Sequence, residues 1–239
     1  LQYCFECRRA LKCRQSQGIA FLPTYMPTSK LQCGVICPLG QYLLRLLNFY
    51  VLFLILVAIK EELCEKDLPE MEIRYTGVGK INASIKTLKI IRDYSPSLII
   101  NYGTAGGLNK ELGGLVEVTR FFQRDMDATP LGFKIGQTPF DDIEEINFGS
   151  GGYSCGTGDS FVTQTPKLKT DLVDMEAYAI AKICYVENVR FKCFKYISDN
   201  ADGGSNEDWI DNVSLGKKLF VNLSLIHISE PTRRYAISY

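Results

Sequence analysis

Histidine is almost missing from this chain: the one present, His227, lies close to the C-terminal end. No pair of histidines is available for a two-histidine metal site, and no imidazole in the body of the chain can relay protons. Acid–base chemistry must therefore rest mainly on carboxylates. Net charge is lacking too, because 27 Lys and Arg balance 27 Asp and Glu, which leaves no overall basic field to attract nucleic acid or an anionic membrane surface. Also missing is the uninterrupted apolar run of roughly 18 to 20 residues that a membrane span needs. The nearest approach, Leu46 to Ile59, is broken near its start by Asn48 and preceded by Arg45. It reads as a buried parallel strand, about Phe53 to Ala58, that ends in the charged turn Lys60-Glu61-Glu62, with a membrane tether as the rival reading.

Regular periodicity is absent from the first 45 residues, which are expected to be foreign to the fold, as is the tail 226–239, where an amphipathic helix pattern breaks off. The remaining segment, 46–225, is long enough to bury a core of its own. Cysteine is plentiful but uneven. Cys4, Cys7, Cys13, Cys33 and Cys37 crowd the start, whereas Cys64, Cys155, Cys184 and Cys193 are scattered. Cys4/Cys7 with Cys33/Cys37 could suggest a zinc ribbon, but the second knuckle is loose and no strand signals surround it, so no metal and no cofactor are expected. The scattered four suit buried, reduced thiols of a cytoplasmic protein.

Strand and helix signals alternate along 46–225. Glu72 to Tyr75 reads as a strand, and Asn82 could cap a helix with Ile85, Leu88 and Ile91 on one face, stopped by Ser95-Pro96. Leu98 to Tyr102 is the next strand, running into a glycine loop, Gly103-Thr104-Ala105-Gly106-Gly107. Leu172 to Met175 leads into a helix through Tyr185, Phe191 to Ile197 is a strand, and Ser205 with Asp208 opens a last helix carrying Trp209, Val213 and Phe220. The pattern predicts a single α/β domain: a mixed, mainly parallel central sheet flanked by helices, with its site at the carboxyl ends of the strands. Three acidic residues fall there: Glu62, Glu176 and Asp199. Singly, each is as well explained by a helix start or a solvated loop.

Read with their neighbours, these residues say more. Ala58-Ile59-Lys60-Glu61-Glu62-Leu63, Thr76-Gly77-Val78-Gly79-Lys80, Asn101 to Gly107, Gln123 to Phe133, Gly158-Asp159-Ser160-Phe161-Val162, Val173-Asp174-Met175-Glu176-Ala177 and Ile197-Ser198-Asp199, with Trp209 ten residues on, occur in that order. Over about Val51 to Leu223 the chain resembles the nucleoside phosphorylase and nucleosidase superfamily, in particular the methylthioadenosine/S-adenosylhomocysteine nucleosidases. The resemblance implies a nucleoside phosphorylase-like fold and hydrolysis of the N-glycosidic bond of an adenine nucleoside, with water and a nucleoside as the reacting partners. It implies that Asp199 gives or shares a proton at the purine, Glu62 activates water, and Glu176 accepts the ribose hydroxyls. Phe161 would stack on the base and Met175 would pack under the ribose, while Thr104, Val162, Ser198 and Trp209 complete the binding set. Leu131, Phe133 and Pro139 would serve the pocket of a second subunit, making the protein a homodimer.

Related phosphorylases carry an arginine just before the glycine loop; Asn101 stands there, which favours water over phosphate as the nucleophile. The stretch from Phe140 to Cys155 is short and without a helix signal, the stretch between Glu62 and Arg74 is compressed, and Asp174 replaces a glutamate common before Met-Glu. A phosphorylase and a non-catalytic nucleoside-binding protein are the competing expectations.

Overall fold

The apolar run around residue 54 needs cover on both faces, and the fold supplies it. The computed structural model describes residues 52–201 and 205–224, with side chains from 212 onward in the second stretch. Cys4, Cys7, Cys33 and Cys37, the ends 1–51 and 225–239 and the side chain of Trp209 lie outside the described residues. The element order is β1 (Phe53–Val57), β2 (Glu72–Tyr75), α1 (Lys80–Tyr94), β3 (Leu98–Gly107), β4 (Gly114–Gln123), a 3-10 turn (Thr129–Leu131), β5 (Ile146–Asn147), β6 (Tyr153–Thr157), β7 (Leu172–Asp174), α2 (Ala177–Val186), β8 (Arg190–Asp199) and α3 (Ser205–Leu223).

All eight strands join one mixed sheet. β2, β1, β3 and β8 run parallel side by side, whereas β4 pairs antiparallel with β8 and β7 antiparallel with β3. Because β4 also pairs with β6, and β6 with β7, the circuit β3-β8-β4-β6-β7 closes on itself. Closure removes the free edges of these five strands and gives them an inside. Along β1, Leu54 and Leu56 join the core made with α1 and α2, while Ile55 and Val57 join a second core under α3. That double burial is why β1 reads as a continuous apolar run instead of an alternating one. No helix among the described residues is long and apolar enough to cross a membrane.

Three expectations change in detail. The glycine stretch 103–107 is the paired end of β3, with Gly103, Thr104 and Ala105 in register with β8 and Gly106 and Gly107 with β7, and a bulge between Ala105 and Gly106. Helix α1 starts at Lys80 behind Gly79, whose φ of 90° suits glycine, so Asn82 is an interior residue that donates to Val78 O at 2.7 Å rather than a cap. β4 and β6 were not anticipated as strands; they build the antiparallel side of the barrel. The short stretch from Phe140 to Cys155 holds β5, the start of β6 and no helix.

α3 seals the second core. Phe220 is fully buried and stacks on Tyr102 with ring centroids 4.2 Å apart, and Gly216 lets the helix approach β8 so closely that a Cβ there would lie 2.6 Å from Tyr196 Cδ1. Helix propensity alone would make Gly216→Ala stabilising by about 1 kcal/mol. The close approach reverses the sign: urea denaturation is expected to show Gly216→Ala less stable by about 1–3 kcal/mol, the usual range for overpacking. An unfolding midpoint above that of the unmutated protein would refute this account of the packing.

Candidate active site

Strand ends that meet bring the residues beside them together, and here the ends of β1, β2, β3, β4, β6, β7 and β8 surround one cavity of about 360 Å³. Glu62, Thr104, Phe161, Val162, Met175, Glu176, Ser198 and Asp199 all line it, drawn from segments up to 137 positions apart (199 − 62). Leu131, Phe133 and Pro139 do not; they lie on the loop beyond β4, with Leu131 73% exposed.

Each carboxylate is held by backbone or by a neighbouring strand. Glu62 follows β1 and is 5% exposed; its Oε1 accepts both the N–H and the hydroxyl of Thr104, at 2.7 Å each. Its Oε2 is buried without a hydrogen-bond partner. Burial pushes the Glu62 pKa up, opposed by the positive charge of Lys195 and the Thr104 bonds. Glu176 sits at the N-terminal boundary of α2, and its Oε1 accepts the Gly79 N–H at 2.9 Å. Burial and the nearby Asp174 charge push its pKa up to about 7. Asp199 ends β8 with both oxygens engaged: Oδ2 accepts the Ser198 hydroxyl at 2.7 Å and Oδ1 the Ala201 N–H at 2.8 Å. A Cβ on Gly106 would stand 2.9 Å from Asp199 Oδ1 and 2.9 Å from Ala201 Cβ, so only glycine leaves Asp199 its place.

Beneath the cavity lies a group the sequence reading did not single out. Lys195 points to the same side of β8 as the core residues Cys193 and Ile197, is 1% exposed, and pairs with Asp174 at 2.8 Å. Asp174 also accepts from the Thr157 hydroxyl at 2.5 Å and from the Ala177 N–H at 2.8 Å. Burial would raise the Asp174 pKa, but Lys195 and these bonds outweigh it and hold it below its ordinary value; burial opposes the Lys195 charge in turn, and Asp174 outweighs that. The signal was available: a lysine inside Phe191-Lys192-Cys193-Phe194-Lys195-Tyr196-Ile197, on the apolar-facing phase of a strand. Arg124, after β4, was likewise missed as a wall residue; its guanidinium donates to Gly158 O at 3.1 Å and to Ser160 Oγ at 3.2 Å.

No cluster of three or more metal-ligating side chains occurs among the described residues. What the arrangement offers is a largely apolar chamber with three fixed carboxylates, two of them raised toward neutrality. That combination suits proton transfer and the binding of a hydroxyl-bearing ligand that carries a flat apolar group.

Residues 69–155 match the model of the Phosphorylase superfamily. The chain is 35% identical over 168 residues to the 5′-methylthioadenosine/S-adenosylhomocysteine nucleosidase of Staphylococcus carnosus, a match covering 59% of this chain and 73% of that protein. Among solved structures, the Helicobacter pylori nucleosidase of the same name, with butyl-thio-DADMe-Immucillin-A, superposes with a TM-score of 0.67 at 20% identity, over 74% of this chain and 97% of that one. The futalosine hydrolase of Helicobacter pylori superposes with a TM-score of 0.65 at 19% identity, over 71% and 94% respectively, and shares the fold.

Between pH 4.5 and 7 the folded chain keeps a proton on Glu176 that the unfolded chain has released, so this group's contribution to stability is lost as pH rises through that window. Glu176→Gln is expected to flatten the pH dependence of unfolding between pH 4.5 and 7.5 by on the order of 2–3 kcal/mol; equal slopes in both proteins would show that Glu176 is not the strained acid. Gly106→Ala should fold but displace Asp199, seen as loss of affinity for site ligands.

Proposed function

The chain belongs to the family of 5′-methylthioadenosine/S-adenosylhomocysteine nucleosidases, and from that premise we propose that it hydrolyses the N-glycosidic bond of an adenine nucleoside and releases adenine. The observation that carries the proposal is the convergence of Glu62, Glu176 and Asp199 on one apolar cavity with an aromatic, Phe161, at its mouth.

The bond breaks through an oxocarbenium-like transition state, and adenine must leave as a neutral base. Asp199, oriented by Ser198 and Ala201, shares a proton with the five-membered-ring nitrogen of the purine. Glu62 takes a proton from the attacking water; its burial, which raises its pKa, makes it a better base than a solvated glutamate. Glu176 accepts from the ribose hydroxyls, and its charge steadies the positive charge that grows on the sugar. Phe161, 51% exposed, presents a ring face to the purine, and Met175 packs under the ribose.

Water is favoured over phosphate because no cation lining the cavity is free among the described residues. Arg124 is committed to Gly158 and Ser160. Asn101 is turned away into the sheet, donating to Leu56 O at 3.0 Å, and Arg74 pairs with Glu72 outside the cavity. A phosphate dianion would lack the fixed donors it needs.

A homodimer fits the same reading. Val78 and Phe161 at the mouth, Ile81 and Ile85 along α1 and Leu131 and Phe140 on the loop beyond β4 are all exposed, Phe140 to 96%. Leu131, Phe133 and Pro139 would then close the neighbour's cavity. Buried, unpaired Cys155, Cys184 and Cys193 suit a reducing cytoplasmic setting.

Purified protein is expected to release adenine from methylthioadenosine without added phosphate, and Asp199→Asn or Glu62→Gln should each lower kcat by about 10²–10⁴-fold. Release that requires phosphate would place the protein with the phosphorylases; binding without release would leave a nucleoside-binding protein. Light scattering should give twice the chain mass, and Phe140→Asp should shift the protein toward monomer and raise KM; an unmutated monomer with full activity would overturn the shared pocket.

A further inference from the structure

Two adjacent residues just after β4 grip the turn that leads into the aromatic wall of the cavity. Arg124 donates from one terminal nitrogen to Ser160 Oγ at 3.2 Å, and from the other to Gly158 O at 3.1 Å and to Ser160 O. Asp125 holds the residue between them: its Oδ2 accepts the Asp159 N–H at 2.9 Å, and its Oδ1 accepts Lys80 Nζ at 2.5 Å. Asp159 in turn accepts the Lys80 N–H at 2.7 Å, so the same turn is tied to the first turn of α1. All three residues 158–160 are thereby fixed, and the next two in the chain are the cavity residues Phe161 and Val162.

The surroundings are shaped for this grip. A Cβ at Gly158 would lie 2.8 Å from Arg124 Cζ, and one at Gly156 would lie 3.2 Å from Arg124 Cβ. Arg124 is 9% exposed, and its Nε is buried without an acceptor. Burying a guanidinium costs free energy that an apolar side chain filling the same space would not incur. What an apolar side chain cannot do is hold two carbonyls and a hydroxyl at one fixed spacing. Phe161 itself is half exposed, so its place depends on the backbone that leads into it.

We propose that Arg124 is a positioning residue: by fixing the turn 158–160 it sets Phe161 and Val162 at stacking distance from the purine. The inference rests on the nucleosidase reading, and it places Arg124 outside the bond-breaking chemistry. Its effect therefore belongs in KM rather than kcat, and it should pass through Phe161.

The test is a double-mutant cycle on the full chain, read by adenine release from methylthioadenosine. Arg124→Ala is expected to raise KM about ten- to hundredfold, the range of one lost base–aromatic stack, with kcat within about threefold. In a Phe161→Ala background the same substitution should raise KM less than about threefold. Arg124→Lys, which keeps the charge but offers a point donor in place of the planar fork, should give intermediate KM values with the same dependence on Phe161, and it serves if the alanine variant does not fold. Additive effects of either variant with Phe161→Ala, or a fall in kcat at unchanged KM, would overturn the proposal. Failure of the unmutated protein to release adenine would instead sink the nucleosidase reading, and the positioning role with it.

Discussion

Lys195 and Asp174 form an ion pair almost wholly removed from water, at 2.8 Å, between β8 and β7. The two strands sit on opposite sides of β3, so the pair spans the interior of the closed circuit of strands just below the cavity floor. Neither charge could stay there alone. Removing one partner of a buried pair typically costs about 3–5 kcal/mol because the other is left uncompensated. Asp174 is further tied to Thr157 on β6 and to the first N–H of α2, so β6, β7, β8 and α2 all meet at one carboxylate.

The electrostatics of the cavity follow from that pair. Glu62 and Glu176 are each desolvated, and each feels both Lys195 and Asp174. Burial raises the pKa of both glutamates, the Lys195 charge pulls them back down, and Asp174, which offsets part of that charge, adds to the rise. This balance suits a carboxylate that is to act as a base: an uncancelled Lys195 charge would lower the glutamate pKa values and make them weaker bases, and burial without any Lys195 charge would push them further toward the protonated form.

Glycine carries the geometry where side chains would collide. Gly103 lies under both Lys195 Nζ and Glu62 Oε1, at 3.2 and 3.3 Å from where its Cβ would be, and Gly106 lies under Asp199. The stretch that looked like a loop from its composition is thus a strand whose missing side chains leave room for the functional groups of its neighbours. Composition alone could not distinguish these cases, because a glycine needed for a turn and a glycine needed for close approach look the same in one dimension.

By itself the sequence determined the α/β alternation, the doubly buried β1 and the scarcity of histidine that left carboxylates as the candidate acids and bases, since periodicity and residue type are local properties. Glu62, Glu176 and Asp199 were legible as candidates because each follows a strand signal and sits in a recognisable motif. The tertiary structure alone decided that β4 and β6 close the sheet into a barrel, that Lys195 meets Asp174 inside it, and that Arg124 reaches the turn at Gly158. Those contacts join residues 21 and 34 positions apart (195 − 174 and 158 − 124). Their meeting depends on strand order and on which way a side chain faces, and neither is written in the spacing of the residues themselves.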